Sequence, residues 1–131
     1  MTQAVCRKLT TVLFVPTIAP SLDFWRDRLG FAVINEVPGE DGPVFAILDN
    51  GTIELMLQTV ASLTTDPHAS HVGWHEDRSF LFVEVDDIDA TATALDGCEV
   101  VVPRHATFYG AIEIAYRAPG GHIVTFAQFA H

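Results

Sequence analysis

Hydrophobic and polar positions along the chain spell one succession of elements twice. The first half reads TTVLFVPTIAPSLDFWRDRLGFAVINEV and then DNGTIELMLQ; the second reads SFLFVEVDDIDATATALDGCEVVV and then APGGHIVTFAQ. Each half opens on a short apolar run, passes into a stretch with apolar residues at helical spacing, and closes on a strand ending in glutamine. A repeat of this length signals two copies of one supersecondary unit, which directs attention to the surface between them.

In the first unit, Leu9 to Val15 is predicted as a strand ended by Pro16. Pro20 and Ser21 open a helix, with Ser21 available as its cap. Leu22, Trp25 and Leu29 form its apolar stripe and Gly30 ends it. Strands follow at Phe31 to Val37, Val44 to Leu48 and Thr52 to Gln58, separated by the turn cluster PGEDGP and the hairpin signal Asp49-Asn50-Gly51. Residues 59 to 78 form the one long irregular stretch, joining the two units.

Ser79 to Val85 restarts the pattern. Asp86 and Asp87 favour a helix start, with Ile88, Ala92 and Leu95 as the buried stripe and Gly97 as the stop. A strand at Glu99 to Val102, a loop PRHATFYG, and a final hairpin of Ala111 to Arg117 and His122 to Phe129 complete the unit. The expected fold is α+β: two βαβββ modules in one domain, each a small sheet with a helix on one face. If both sheets curve together, their uncovered faces enclose a cleft: module 1 spans about 9–58 and module 2 about 79–129.

Strand alternation assigns the faces. The mostly aliphatic sets (Leu13, Val15, Leu55, Leu57, Val83, Val124, Phe126) should meet the helices. The mixed sets, with Thr10, Phe14, Glu54, Met56, Phe80, Phe82 and Thr125, should face the cleft. Register decides this, since a one-residue slip inverts every assignment. Glu54 stands out, flanked by Ile53, Leu55, Met56 and Leu57. An ionised carboxylate in apolar surroundings must be paired, hydrated or protonated. It reads as a metal ligand, a general base or an anchor for a ligand's amine or hydroxyl; the plain alternative is a solvated residue on an exposed strand face.

Composition narrows the partners. Seventeen acidic against seven basic residues give a formal net charge of -10, which opposes nucleic acid and anionic membranes. No stretch approaches the roughly twenty apolar residues of a membrane helix. Arg7 and Lys8 before LTTVLFV imitate a short signal peptide, but the run is brief and stops at Pro16. Cys6 and Cys98 sit singly among apolar neighbours, as small core residues in a reducing cytoplasm would.

FWRDRLGF after a strand, TIELML closing the first unit, VDDIDA opening the second and a PGG hairpin before the last strand resemble the vicinal oxygen chelate superfamily. That superfamily includes glyoxalase I, bleomycin-resistance proteins and extradiol dioxygenases. The resemblance covers about residues 9 to 129. It implies paired βαβββ modules around a sheet-lined cleft, often in a homodimer. Metal-dependent members carry His, Gln or Glu ligands on the first and last strands of each module, which places them here at Thr10, Glu54, Phe80 and Thr125. Only Glu54 matches, because Phe80 cannot coordinate and neutral threonine hydroxyls are poor ligands for a divalent transition metal.

The expected function is therefore that of the drug-binding branch: a small-molecule-binding protein without a bound catalytic metal or other cofactor. Antibiotic resistance is among the roles this resemblance allows. Glu54 would anchor a polar or cationic group, Thr10 and Thr125 would hydrogen-bond, and Phe14, Met56, Phe80, Phe82, Phe108 and Tyr109 would grip an aromatic or apolar part. The rival reading is a lyase, isomerase or dioxygenase of the same fold. It would use Glu54 as a catalytic base, or with a divalent transition metal completed by histidines of HASHVGWH (residues 68 to 75) or by the dimer partner. A third reading is an interaction module whose cleft is filled by its own side chains.

Three further features take plainer readings. Glu113 and Arg117 alternate on the seventh strand and suit a surface or lid role better than catalysis. Thr107 to Gly110 sits where a lid could close the cleft. Asp86, Asp87 and Asp89 fit a helix start better than a calcium cluster.

Overall fold

The structure is a computed structural model, and it describes Ala4, residues 8–62 and residues 80–130. Two four-stranded sheets repeat one topology. Strands β1 (Thr11–Val15), β2 (Ala32–Gly39), β3 (Gly42–Asp49) and β4 (Glu54–Thr59) lie in the order β1-β4-β3-β2. Strands β5 (Leu81–Glu84), β6 (Val100–Ala106), β7 (Ala111–Arg117) and β8 (Ile123–Phe129) lie in the order β5-β8-β7-β6. In each sheet the first strand runs parallel to the last, and the other neighbours are antiparallel. The βαβββ repeat is the architecture.

Local chemistry explains the boundaries. The turn before β4 is built by side chains: Asp49 Oδ1 accepts from the Gly51 amide at 2.6 Å, and Asn50 Oδ1 accepts from Thr52 and Ile53 at 2.9 and 2.7 Å. These Asx contacts compete with the sheet ladder, so β4 starts at Glu54 rather than Thr52. In the PGEDGP cluster, Gly39 pairs with Gly42, leaving a two-residue tip. β6 runs on through Pro103 to Ala106, where a loop was expected, because register shifts between Val102 and His105 absorb the proline that cannot join the ladder.

The first helix departs most from expectation. Helix α1 (Ala19–Leu22) begins after Ile18, and Ser21 lies inside it, 1% exposed, rather than capping it. The helix then widens into a π-helical segment over Asp23–Arg28. The wider turn brings two adjacent aromatics inward, leaving Phe24 1% and Trp25 2% exposed, while Leu29 stays partly exposed. Trp25 packs edge-on against Phe24 and Phe31 at ring separations of 5.1 and 5.4 Å.

Helix α2 (Ile88–Ala94) follows its expected start. Asp87 caps it by accepting from the Asp89 and Ala90 amides, and Gln128 Oε1 accepts from the Ile88 amide at 2.7 Å. The glutamine near the end of β8 thus ties the last strand to the helix start.

One core joins both modules, as alternation predicts: Leu13, Val15, Leu55 and Leu57 on one side, Ile88, Leu95, Val124 and Phe126 on the other. Two contacts lock the modules together. Arg28 donates to the Asp96 and Ala94 carbonyls at 2.9 and 3.3 Å, closing the end of α2. Gly120, at φ +94°, lies against Val15 so closely that a methyl group there would come within 2.7 Å of it.

Candidate functional site

The edge strands β1 and β5 and the start of β4 border a depression of about 580 Å³ at the module junction. Its apolar wall includes Trp25, Phe31, Ile53, Leu55, Leu81 and Phe82. Its charged groups are Asp49, Glu54, Glu84 and Lys8, three carboxylates against one ammonium. Much of the wall comes from residues that alternation turned toward the helices. Of the nine side chains expected to bind a ligand, Glu54 and Phe82 line this depression.

Glu54 is not a bare carboxylate. Its side chain is 15% exposed, accepts a hydrogen bond from Thr10 Oγ1 at 3.2 Å and pairs with Lys8 Nζ at 2.9 Å. Lys8 gave no periodic signal, since it precedes the apolar run. Its side chain is 59% exposed, so the pair is of the exposed kind worth about 0–1 kcal/mol. A competing cation can displace it at small cost.

The remaining expected residues divide between the two sheets. Phe14 and Met56 are half-buried in the first sheet, where Val12 pairs with Met56 and Phe14 with Gln58. In the second sheet Phe82 is opposite Thr125; Thr125 is buried and Phe80 exposed. Phe82, Phe108 and Tyr109 belong to an aromatic chain that also includes Phe129, with ring separations of 5.1 to 6.3 Å. The Thr107–Gly110 loop is a tight turn: the Thr107 amide donates to the Ala111 carbonyl, and the Ala111 amide to Thr107 Oγ1.

Sequence reasoning undervalued Glu113. It is 6% exposed, Tyr109 donates its hydroxyl hydrogen to it, and His105 lies 3.7 Å away. The register of β7 sets Ala111, Glu113 and Ala115 opposite Phe129, Ala127 and Thr125, so the one carboxylate stands among mostly small residues. Its hydrogen bond holds the Tyr109 phenol above the usual tyrosine range, and burial does the same for Tyr116. These are the chain's two tyrosines. A phenol whose folded pKa is raised stabilises the fold below the unfolded value of about 10, and that contribution is lost as pH rises through the folded value. Spectrophotometric titration should show both tyrosines ionising later than free tyrosine, with alkaline unfolding over the same range; two ordinary titrations would contradict the geometry.

The donor set at the expected metal positions does not fit a divalent transition ion. Thr10 and Thr125 offer neutral hydroxyls and Phe80 offers no donor, which leaves Glu54 as the one charged donor. Among the described residues no three His, Cys, Asp or Glu side chains gather as a metal-binding group. The HASHVGWH histidines lie outside the described residues. Among the described residues, no helix is long and apolar enough to cross a membrane.

Comparison with known proteins follows the same lines. A protein of unknown function from Agrobacterium tumefaciens str. C58 shares 20% identity, covers 98% of each chain and superposes with a TM-score of 0.74. TioX from Micromonospora sp. ML1 shares 19% identity over 95% of this chain and 100% of its own, with a TM-score of 0.72. Lactoylglutathione lyase from Agrobacterium tumefaciens shares 17% over 96% of each chain, with a TM-score of 0.69. At these identities the likeness is one of fold. No curated protein matches the chain. The family model of the glyoxalase/bleomycin resistance protein/dioxygenase superfamily matches residues 8–126. With that match over a chain built as two βαβββ modules, the protein belongs to the glyoxalase/bleomycin resistance protein/dioxygenase superfamily.

Proposed function

We propose that this protein binds a small amphipathic cation at the module junction, without a resident catalytic metal. The observation that carries the reading is the lining of the depression: an apolar wall with three carboxylates against one lysine. A volume of about 580 Å³ is within the range of about 300–1,000 Å³ seen for small-molecule sites. Glu54 is the anchor, mostly buried, oriented by Thr10 and held by an ammonium that a ligand can replace. Phe82, Ile53 and Leu81, which are at least partly exposed, take the apolar body, over a floor of buried Trp25 and Phe31. Two copies are expected to pair, since Ile34, Val37, Val100 and Val102 leave apolar surface exposed on β2 and β6.

The test uses phenethylammonium and its neutral analogue phenethyl alcohol, read by tryptophan fluorescence because Trp25 lies directly beneath the site. The ammonium should bind more tightly, and Glu54→Gln should weaken it about tenfold, as loss of one charge-assisted contact does. Equal binding of the two probes, or unchanged affinity in Glu54→Gln, would refute the anchor.

A further inference from the structure

We propose that Glu113, Tyr109 and His105, walled by Phe82 and Phe129, form a second site that takes a primary ammonium carried on an aromatic or aliphatic body. Its anchor is Glu113 rather than Glu54, and it adjoins the junction depression through Phe82 and Glu84, which border both. A cross-strand row of the second sheet runs Glu84, Ala127, Glu113, His105. Around Glu113 the surface is small and buried: Ala111, Ala115 and Ala127 are 3%, 3% and 0% exposed. Large exposed side chains rise beside it, Phe82 and Tyr109 each in ring contact with Phe129 at 6.3 and 6.1 Å. The carboxylate therefore sits low between aromatic rings, on a sheet to which Glu84 adds a second negative charge.

The hydrogen bonding around Glu113 defines the ligand. Oε2 accepts from the Tyr109 hydroxyl, while Oε1 is 3.7 Å from His105 Nε2, beyond hydrogen-bond reach. His105 Nδ1 is 2.8 Å from the Pro103 carbonyl oxygen, which can only accept, so Nδ1 carries a hydrogen. In the neutral ring Nε2 then presents a lone pair to the carboxylate. Two acceptors facing one another repel, and a buried carboxylate with one neutral donor is under-compensated. A cation with several hydrogens relieves both: one N–H of an ammonium goes to Oε1 and another to Nε2. The adjoining rings of Tyr109 and Phe129 offer faces to the charge and to the body that carries it.

The test is titration with benzylammonium and benzyl alcohol, read by calorimetry and by ring NMR signals of ¹⁵N-labelled histidine and ¹³C-labelled tyrosine. Benzylammonium should shift the His105 and Tyr109 signals and bind more tightly than the alcohol. Glu113→Gln should weaken it about tenfold or more. Glu54→Gln should leave these shifts in place, which separates this site from the junction depression. Should Glu113→Gln not fold, His105→Ala replaces a side chain 43% exposed and should weaken binding severalfold while the Tyr109 shift persists. Equal binding of amine and alcohol, shifts absent from both rings, or affinity unchanged in both variants would overturn the proposal.

Discussion

Replacing Trp25 with alanine is expected to lower stability by about 3–5 kcal/mol, a large share of what a domain of this size has. The side chain is 2% exposed, stacked edge-on between Phe24 and Phe31, and belongs to the one core that both modules share. Its position depends on the π-helical turn, which turns both Phe24 and Trp25 inward. Truncation removes the transfer energy of the indole and leaves a cavity beneath β1 and β4 that neighbouring side chains fill only in part. Urea unfolding followed by circular dichroism measures the loss. Trp25→Phe keeps an aromatic ring in the slot and should recover much of it. A loss below about 1 kcal/mol for Trp25→Ala would mean the indole is not part of the shared core.

The second large effect is expected at Gly120, where alanine should cost about 2–4 kcal/mol. Two penalties add. The backbone is at φ +94°, where a Cβ is strained, and the new methyl would come within 2.7 Å of Val15 Cγ1 across the module contact. Gly51 separates them: it has φ +97° and open space where a Cβ would stand, so Gly51→Ala carries only the strain of about 1–2 kcal/mol. The excess at Gly120 measures how tightly the modules are pressed together. Equal melting shifts for the two variants would show that the Val15 contact contributes nothing. In a double-mutant cycle, Val15→Ala should offset part of the Gly120→Ala cost, the coupling expected of residues in direct contact.

The element order was legible because each strand and helix advertises itself locally. Periodic apolar residues marked β1, β5 and the helices, the Asp49-Asn50-Gly51 turn marked the hairpin, and Asp87 marked the start of α2. Core faces were legible for the same reason, since Leu13, Val15, Val124 and Phe126 follow a strict alternation into the helices. The π winding was not, because Leu22, Trp25 and Leu29 also suit an ordinary helix. Only packing of the adjacent Phe24 and Trp25 decides it. The continuation of β6 through Pro103 depends on a register shift against β7, a non-local choice.

The same limit applies to the site. Glu54 was visible as a charge inside an apolar strand, but Lys8 was not, because its role comes from crossing to β4 rather than from its own neighbours. Glu113 acquires meaning only when the shifted register sets it opposite His105 and the turn brings Tyr109 back onto it. Alternation placed the depression on the mixed faces. The depression instead draws much of its wall from the opposite set, with Thr11, Ile53, Leu55, Leu81 and Val83 at the edges of β1, β4 and β5, so it is more apolar than expected.

Whether the junction binds a ligand without housing a catalytic metal is tested most directly by the metal content of untagged protein dialysed without chelator. No transition metal should approach one equivalent per chain, because Glu54 is the one strong donor among Thr10, Glu54, Phe80 and Thr125. Near-stoichiometric zinc, iron, nickel or manganese would contradict it and point to metal-dependent chemistry.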